Sequence, residues 1–501
     1  MNFAEYLLEN ARQNTADFIL GSRHHLTYPD LFAKVDAFSS YIIDRFGSGN
    51  EILLNSDNSP FFIIAYLGII KSGNTAVVIE TRISDEHLED ILQRCSISAF
   101  FVQNRYRQRF EAYEEVMGES FIESLPPGMS LPEADSMDDD TAVILFTSGS
   151  TGQKKGVMLS HKNLRANTES IISYLELTQE DRIYAVLPFS YTFGTSLLHT
   201  HLRAGGSVVL GNPIFLGSIL NEIDAYRCTG FAGVPSTYQI LINKTNFLQR
   251  SFPTLRCFQQ AGGHLAEKFK LMIADAFEGK KFYTMYGCTE ATARCSYLPP
   301  HLLREKTGSI GQGIPGVRMD VIGPDGTPVK PGEAGEITVI GDNVMKGYYR
   351  DPEATREKIR EGRLYTGDIA TIDEEGYVYY LERRSSIIKS GGFRISPKEV
   401  EAVINGIEGV SLGIVMGITD ELIGESVGAV IRPENGSNMA LYENILNKCA
   451  TKLPSYKIPR KVLFLDEFPL NSSLKYDMGK LKQLLESNQG EQGKNLFIHK
   501  A

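Results

Sequence analysis

Short runs of β-branched and aliphatic residues alternate along this chain with amphipathic stretches, and that alternation constrains the fold more than any other feature. AVILF at 142–146, GSVVLG at 206–211 and GEITVIG at 335–341 read as strands, whereas HLEDILQRC at 87–95 has the apolar spacing of a half-buried helix. Strands and helices in alternation favour an α/β architecture over an all-β or all-α one, because helices then cover the sheet faces. At 501 residues the chain is too long for one ordinary core and calls for two or more domains. Its 42% hydrophobic and 22% charged content suits a soluble globular protein rather than a disordered or membrane-embedded one.

A formal net charge of -10 argues against a nucleic-acid-binding surface as the main feature. The cysteines, Cys95, Cys228, Cys257, Cys288, Cys295 and Cys449, include no CxxC pair, so neither a zinc site nor a disulfide framework is indicated. A reducing cytoplasm suits them best. The N-terminus lacks a basic segment followed by a long apolar run, and no stretch is long and apolar enough to span a membrane. LPPGMSLPEADSMDDD at 125–140 reads as an exposed connector, and the terminal SNQGEQGKNLFIHKA as a loosely held tail.

The stretch LFTSGSTGQKKG at 145–156 follows an apolar strand with glycines, hydroxyls and two lysines. Glycines let backbone N–H groups approach an anion, and the hydroxyls and lysines add donors and charge. The spacing is not that of a Walker loop. Taken alone, such a run fits a surface turn as well as a phosphate cradle.

Its companions decide. TSGSTGQKKG, YGCTEA at 286–291, YTGDIA at 365–370, RRSSIIKSGGFRISPKEVE at 383–401 and PLNSSLKYD at 469–477 occur in this order. The chain thereby resembles the adenylate-forming superfamily of acyl-CoA synthetases, aryl-CoA ligases, peptide-synthetase adenylation domains and luciferases, from TYPDL at 27–31 onward. The resemblance implies a large N-terminal region of α/β subdomains plus a β-barrel-like subdomain, residues 1–384, and a small mobile α+β C-terminal domain, 385–501. It implies a ligase that joins a carboxylic acid to AMP from ATP with Mg2+, releasing pyrophosphate, and passes the acyl group to CoA or to the phosphopantetheine of a carrier protein. A luciferase-like oxidase and an inactive nucleotide-binding protein are the other readings.

The same resemblance assigns roles. Thr147, Ser148, Gly149, Ser150, Thr151, Gly152 and Lys155 would hold the triphosphate tail. Lys154 stands where proline is common, and is expected to face solvent. Tyr286, with Gly287 beside it, would stack on adenine, Thr289 would donate to the α-phosphate, and Glu290 would coordinate Mg2+. On its own, YGCTEA also fits a turn with an N-capping Thr-Glu pair. Asp368 would accept both ribose hydroxyls, and Arg383 would contact sugar and phosphate. Arg383 follows Glu382 where glycine is usual, and the hinge position is Ser385. Gly391 and Gly392 would line the pantetheine path.

Two lysines compete for the C-terminal catalytic position. Lys475 has the right spacing from Pro469, although Leu474 replaces the usual glycine; Lys480 has a preceding glycine but lies five residues late. Lys475 is the expected one, bridging the substrate carboxylate and the α-phosphate. Tyr191, Val234, Ser236, Thr237 and Gly263 would line the acid pocket, with Gly262 between pocket and adenine. Tyr191 stands where fatty- and aryl-acid enzymes often carry histidine. No aspartate lies between 182 and 210, which argues against an α-amino acid, because its buried ammonium would lack a partner.

Overall fold

The computed structural model describes residues 1–126, 137–148, 154–211, 216–434, 436, 439–487 and 495–498. Two large sheets form the first part of the chain. One has seven strands, in the order Gly347–Tyr348, Lys154–Ser160, Thr141–Ser148, Thr75–Ile79, Glu51–Asn55, Ile97–Val102 and Val116–Met117. The other has nine, in the order Gln312–Gly313, Ser296–Leu298, Lys281–Tyr286, Cys257–Gln260, Gly230–Gly233, Arg182–Ala185, Ser207–Leu210, Asp17–Leu20 and Leu26–Thr27. The central pairings in both are parallel, so each strand returns through a helix.

The main core lies between these sheets. Helix Pro60–Lys71, PFFIIAYLGIIK, is apolar on every side, and its residues from Phe61 to Ile70 are all buried. A helix with no polar face has to be enclosed, and this one packs among Phe3–Glu9, Tyr28–Phe46 and the strands of the seven-stranded sheet. A Ser59 side chain caps its N-terminus and Pro60 opens it, both favoured at that end.

A five-stranded antiparallel sheet follows, from Val317–Ile322, Gly335–Gly341, Ile359–Arg360, Arg363–Ile372 and Val378–Arg383. The last six-stranded sheet contains Ile388–Ser390, Phe393–Ile395, Val410–Asp420, Gly424–Pro433, Lys461–Phe464 and Asn495–Ile498. Strand Gly424–Pro433 sends Ala429 and Ile431 to one side, where helices Pro397–Asn405 and Met439–Lys452 cover them. Val430 points the other way, toward Leu481 and Leu485 of helix Met478–Glu486. Packing thus changes partners between Arg383 and Ile388.

One expectation about a loose segment needs correction. Phe497 in the expected tail belongs to a strand paired with Lys461–Phe464, and its ring stacks 4.7 Å from Tyr442. Most of the expected connector lies outside the described residues; at its end Asp138 binds the N-terminal ammonium at 2.8 Å and Arg165 at 2.7 Å. No helix among the described residues is long and apolar enough to cross a membrane.

Candidate active site

The nucleotide side is built at strand ends. Tyr286 closes strand Lys281–Tyr286 and donates its hydroxyl to Asp368 Oδ2 at 2.6 Å. Asp368 lies opposite Arg383 in the antiparallel pairing of Arg363–Ile372 with Val378–Arg383, and Arg383 Nε is 3.5 Å from Asp368 Oδ1. Sheet register therefore unites three expected nucleotide residues. Burial pushes the Asp368 carboxyl above its ordinary pKa, against the opposing pull of Arg383 and Tyr286.

Gly287 turns the chain where a Cβ would overlap the Ala293 carbonyl, so only glycine fits. The next residues form a 3₁₀ turn, Thr289–Ala291, capped by neither Thr289 nor Glu290. Glu290 accepts a hydrogen bond from Tyr348 at 2.8 Å, and Lys155 Nζ stands 5.1 Å above the Tyr348 ring and 3.9 Å from Asp351. Among the described residues no cluster of three histidine, cysteine or acidic side chains could hold a metal alone. One carboxylate beside phosphate-binding residues fits Mg2+, which usually keeps several waters and takes its other ligands from substrate phosphates.

Thr147 pairs with Lys155 and Ser148 with Lys154 in the antiparallel pairing of strands Thr141–Ser148 and Lys154–Ser160. The expected ligands Gly149, Ser150, Thr151 and Gly152, and the Ser148 side chain, lie outside the described residues. Lys154 does not face solvent: its side chain is 14% exposed and its ammonium pairs with Glu80 Oε1 at 3.0 Å. A carboxylate from the neighbouring Thr75–Ile79 strand end overrode the expectation.

Across the cleft, Val234 is buried at the start of helix Pro235–Lys244, with Ser236 and Thr237 in its first turn. Gly262, at φ +80°, approaches so closely that a Cβ there would lie 3.1 Å from both Val234 Cγ1 and Lys475 Cε, and 3.5 Å from Lys475 Nζ. At Gly263 a Cβ would meet Pro235 Cγ at 3.3 Å. The small domain thus delivers Lys475 to the expected acid pocket. The lysine borders the open cleft, yet protein surrounds most of it, and this desolvation lowers its pKa, with Arg383 adding to the effect. Lys480 lies on helix Met478–Glu486, its ammonium 3.6 Å from Asp477.

The segment carrying Lys475 touches the large domain repeatedly. Ser472 and Tyr191 both donate to Glu80 Oε2, and their hydroxyls are 2.6 Å apart. Ser236 donates to the Leu474 carbonyl, and Tyr476 to Gln239 Oε1. Leu474 has φ +61° and packs its side chain against the large-domain core. Gly391 and Gly392 are elsewhere, at the tip of the Ile388–Ser390/Phe393–Ile395 hairpin, and no atom lies within 4 Å of a Cβ built on Gly392. Ser385 lies in the short turn Arg384–Ser386 between the two sheets.

Sequence reasoning missed Glu80, Ser472 and Arg294. Arg294 is 1% exposed; it donates to Tyr174 at 2.9 Å and Gln259 at 3.0 Å and lies over Phe193, and no carboxylate among the described residues pairs with it. None of the three has a sequence signal, since each is defined by partners distant in the chain.

Comparison with known proteins agrees with this architecture. The family model described as AMP-binding enzyme matches residues 7–349, and the one described as AMP-binding enzyme C-terminal domain matches 399–475. The chain belongs to the AMP-binding enzyme family, that of the AMP-forming acyl-CoA ligases. A feruloyl-CoA synthase from Amycolatopsis sp is 36% identical over 349 residues, 69% of this chain and 70% of that protein. A 2-succinylbenzoate–CoA ligase from Geobacillus sp. (strain WCH70) is 31% identical over 449 residues, 88% of this chain and 89% of that one. The solved o-succinylbenzoate CoA synthetase from Bacillus subtilis, in complex with its acyl-adenylate intermediate, superposes with a TM-score of 0.86 at 26% identity, covering 97% of this chain and 99% of that one.

Proposed function

We propose that this chain activates a carboxylic acid with ATP and transfers the acyl group to the thiol of CoA. In the first step a carboxylate oxygen bonds to the α-phosphorus as the bond to the bridging oxygen of the β-phosphate breaks, giving an acyl-adenylate and pyrophosphate. In the second, the CoA thiol adds to the acyl carbon, its proton is lost, and AMP departs. The observation that carries this reading is the placement of Lys475, from the small domain, against Gly262 and Val234 of the large one. There its ammonium can offset charge gathering between carboxylate and α-phosphate.

In this reading Asp368 and Arg383 hold the ribose, Tyr286 lies against adenine, and Thr289, whose hydroxyl has no partner among the described residues, donates to the α-phosphate. Glu290 supplies the protein ligand to Mg2+, which neutralises phosphate charge when bound. Thr147 and Lys155, with the residues between them, take the leaving pyrophosphate. Tyr191, Val234, Ser236 and Gly263 border the acid. Gly392 would serve the thioester step after a rotation of the small domain about Ser385. The related structure solved with ATP and magnesium ion, a Bacillus subtilis synthetase 26% identical, supports the choice of cofactors. Cysteines that are all free, five of them buried, support a cytoplasmic location.

The test is pyrophosphate release with ATP and Mg2+ across ferulate, 2-succinylbenzoate, oxalate and a long-chain fatty acid, each with and without CoA. Acid-dependent release with acyl-CoA appearing is the expected result. Adenylate without acyl-CoA would redirect the acceptor to a carrier protein, and ATP binding without release under any acid would defeat the reading.

A further inference from the structure

Glu80 is a largely enclosed carboxylate, its side chain 14% exposed, on which three distant segments converge. Lys154 reaches it from the start of strand Lys154–Ser160, Tyr191 from the residue before helix Thr192–Ala204, and Ser472 from the small domain. Burial alone would raise its pKa, but Ser472, Tyr191 and Lys154 together hold it below the ordinary value, so it is the charged form that is bound. Tyr191 is pushed the other way, first by burial and then by Glu80, and stays a donor. All of the described groups facing Glu80 thus hold it as an anion.

Ser472 lies three residues before Lys475, in a loop rigid in itself. Asn471 accepts from the backbone N–H groups of Ser473 and Lys475 at 3.0 Å each, and the Lys475 carbonyl accepts from Asn471 N at 2.8 Å. A displacement of Ser472 is therefore transmitted to Lys475. Two other hydrogen bonds from the loop to the large domain, Ser236 to the Leu474 carbonyl and Tyr476 to Gln239, join neutral groups. Ser472 alone among these joins a charged group, and such bonds are the stronger kind.

We propose that Glu80 is a positioning residue for the adenylation step: through Ser472 it seats the loop that carries Lys475, and through Lys154 it ties that seating to strand Lys154–Ser160. Glu80 touches no reacting atom in this scheme. The two domains must part for the thioester step in the mechanism proposed above, on which the inference rests, so the Glu80–Ser472 bond favours the first half-reaction specifically.

Two measurements test it, one of them independent of the acid. Lys244 and Glu467 face each other across the domains at 3.9 Å and are both exposed, 54% and 83%. A fluorophore and a quencher attached there report docking in the free protein. Ser472→Ala and Glu80→Gln should lower the quenching, and Ser472→Thr should restore it. With the best acid of the panel, Ser472→Ala should slow pyrophosphate release about tenfold, the scale of one hydrogen bond to a charged group. Thioester formation from presynthesised acyl-adenylate and CoA should keep its rate, and so should the melting temperature. Unchanged quenching, or equal loss in both half-reactions, overturns the proposal. A wild-type protein inactive with every acid defeats the functional reading instead, while the quenching result still decides the role of Glu80.

Discussion

The two sides of the cleft are assembled by different means. On the nucleotide side, Tyr286, Asp368 and Arg383 are fixed by sheet register, with Asp368 directly opposite Arg383 on paired strands. The lysine side is held by side-chain contacts between separate domains, among them Ser472 to Glu80, 392 residues apart. Register is cooperative and resists single substitutions; a handful of cross-domain hydrogen bonds is adjustable. In the proposed mechanism this difference would keep the nucleotide half fixed while the lysine half is released.

Substitutions can break or sharpen this contrast. Lys475→Ala should cost adenylation about a hundred- to a thousandfold, as loss of one charge-stabilising donor does, read as pyrophosphate release at saturating ATP. If Lys480→Ala produced that loss instead, the assignment of the lysine side would fall. Next, Asp368→Asn should raise KM for ATP about tenfold with a smaller effect on kcat, since it weakens hydrogen bonding to the ribose. An equal effect on acyl transfer from the adenylate to CoA would place Asp368 on the wrong side of the comparison.

A pH profile separates the sides in another way. Lys475 has a pKa below the ordinary 10.5, so its cationic form is lost earlier as pH rises. Adenylation should therefore fall on the alkaline side before a free lysine would titrate. Leu474→Gly has opposing terms: it relieves roughly 1–2 kcal/mol of left-handed strain and forfeits about 1–2 kcal/mol of packing. Overall stability should barely move, while quenching between the Lys244 and Glu467 positions falls. The smallest effect is expected of Lys480→Ala, within about 0.5 kcal/mol in stability and without change in rate.

The fold class was legible because alternating strand and helix patterns are local, and the nucleotide residues because each sits in a short motif. Tyr286, Asp368 and Arg383 come together through strand register, which the motifs do not state. Lys475 was chosen over Lys480 from spacing, and the cleft receives Lys475. Lys154 was misread because nothing near it in sequence announces Glu80. Leu474 was noted as a departure from glycine, but its meaning depends on the large-domain core that receives its side chain. Phe497 was assigned to a loose tail because a four-residue strand surrounded by polar residues gives no periodic signal.

Leu474 has one more consequence. Where a glycine would leave only backbone, this chain hides part of an aliphatic side chain whenever the lysine loop is seated, and returns it to water when the domains part. Exposure of apolar surface carries a positive heat capacity. The equilibrium between the two arrangements is therefore curved in temperature, and cooling weakens the seated one. The ratio of adenylate made to thioester released should then change with temperature slightly more in this chain than in its Leu474→Gly variant.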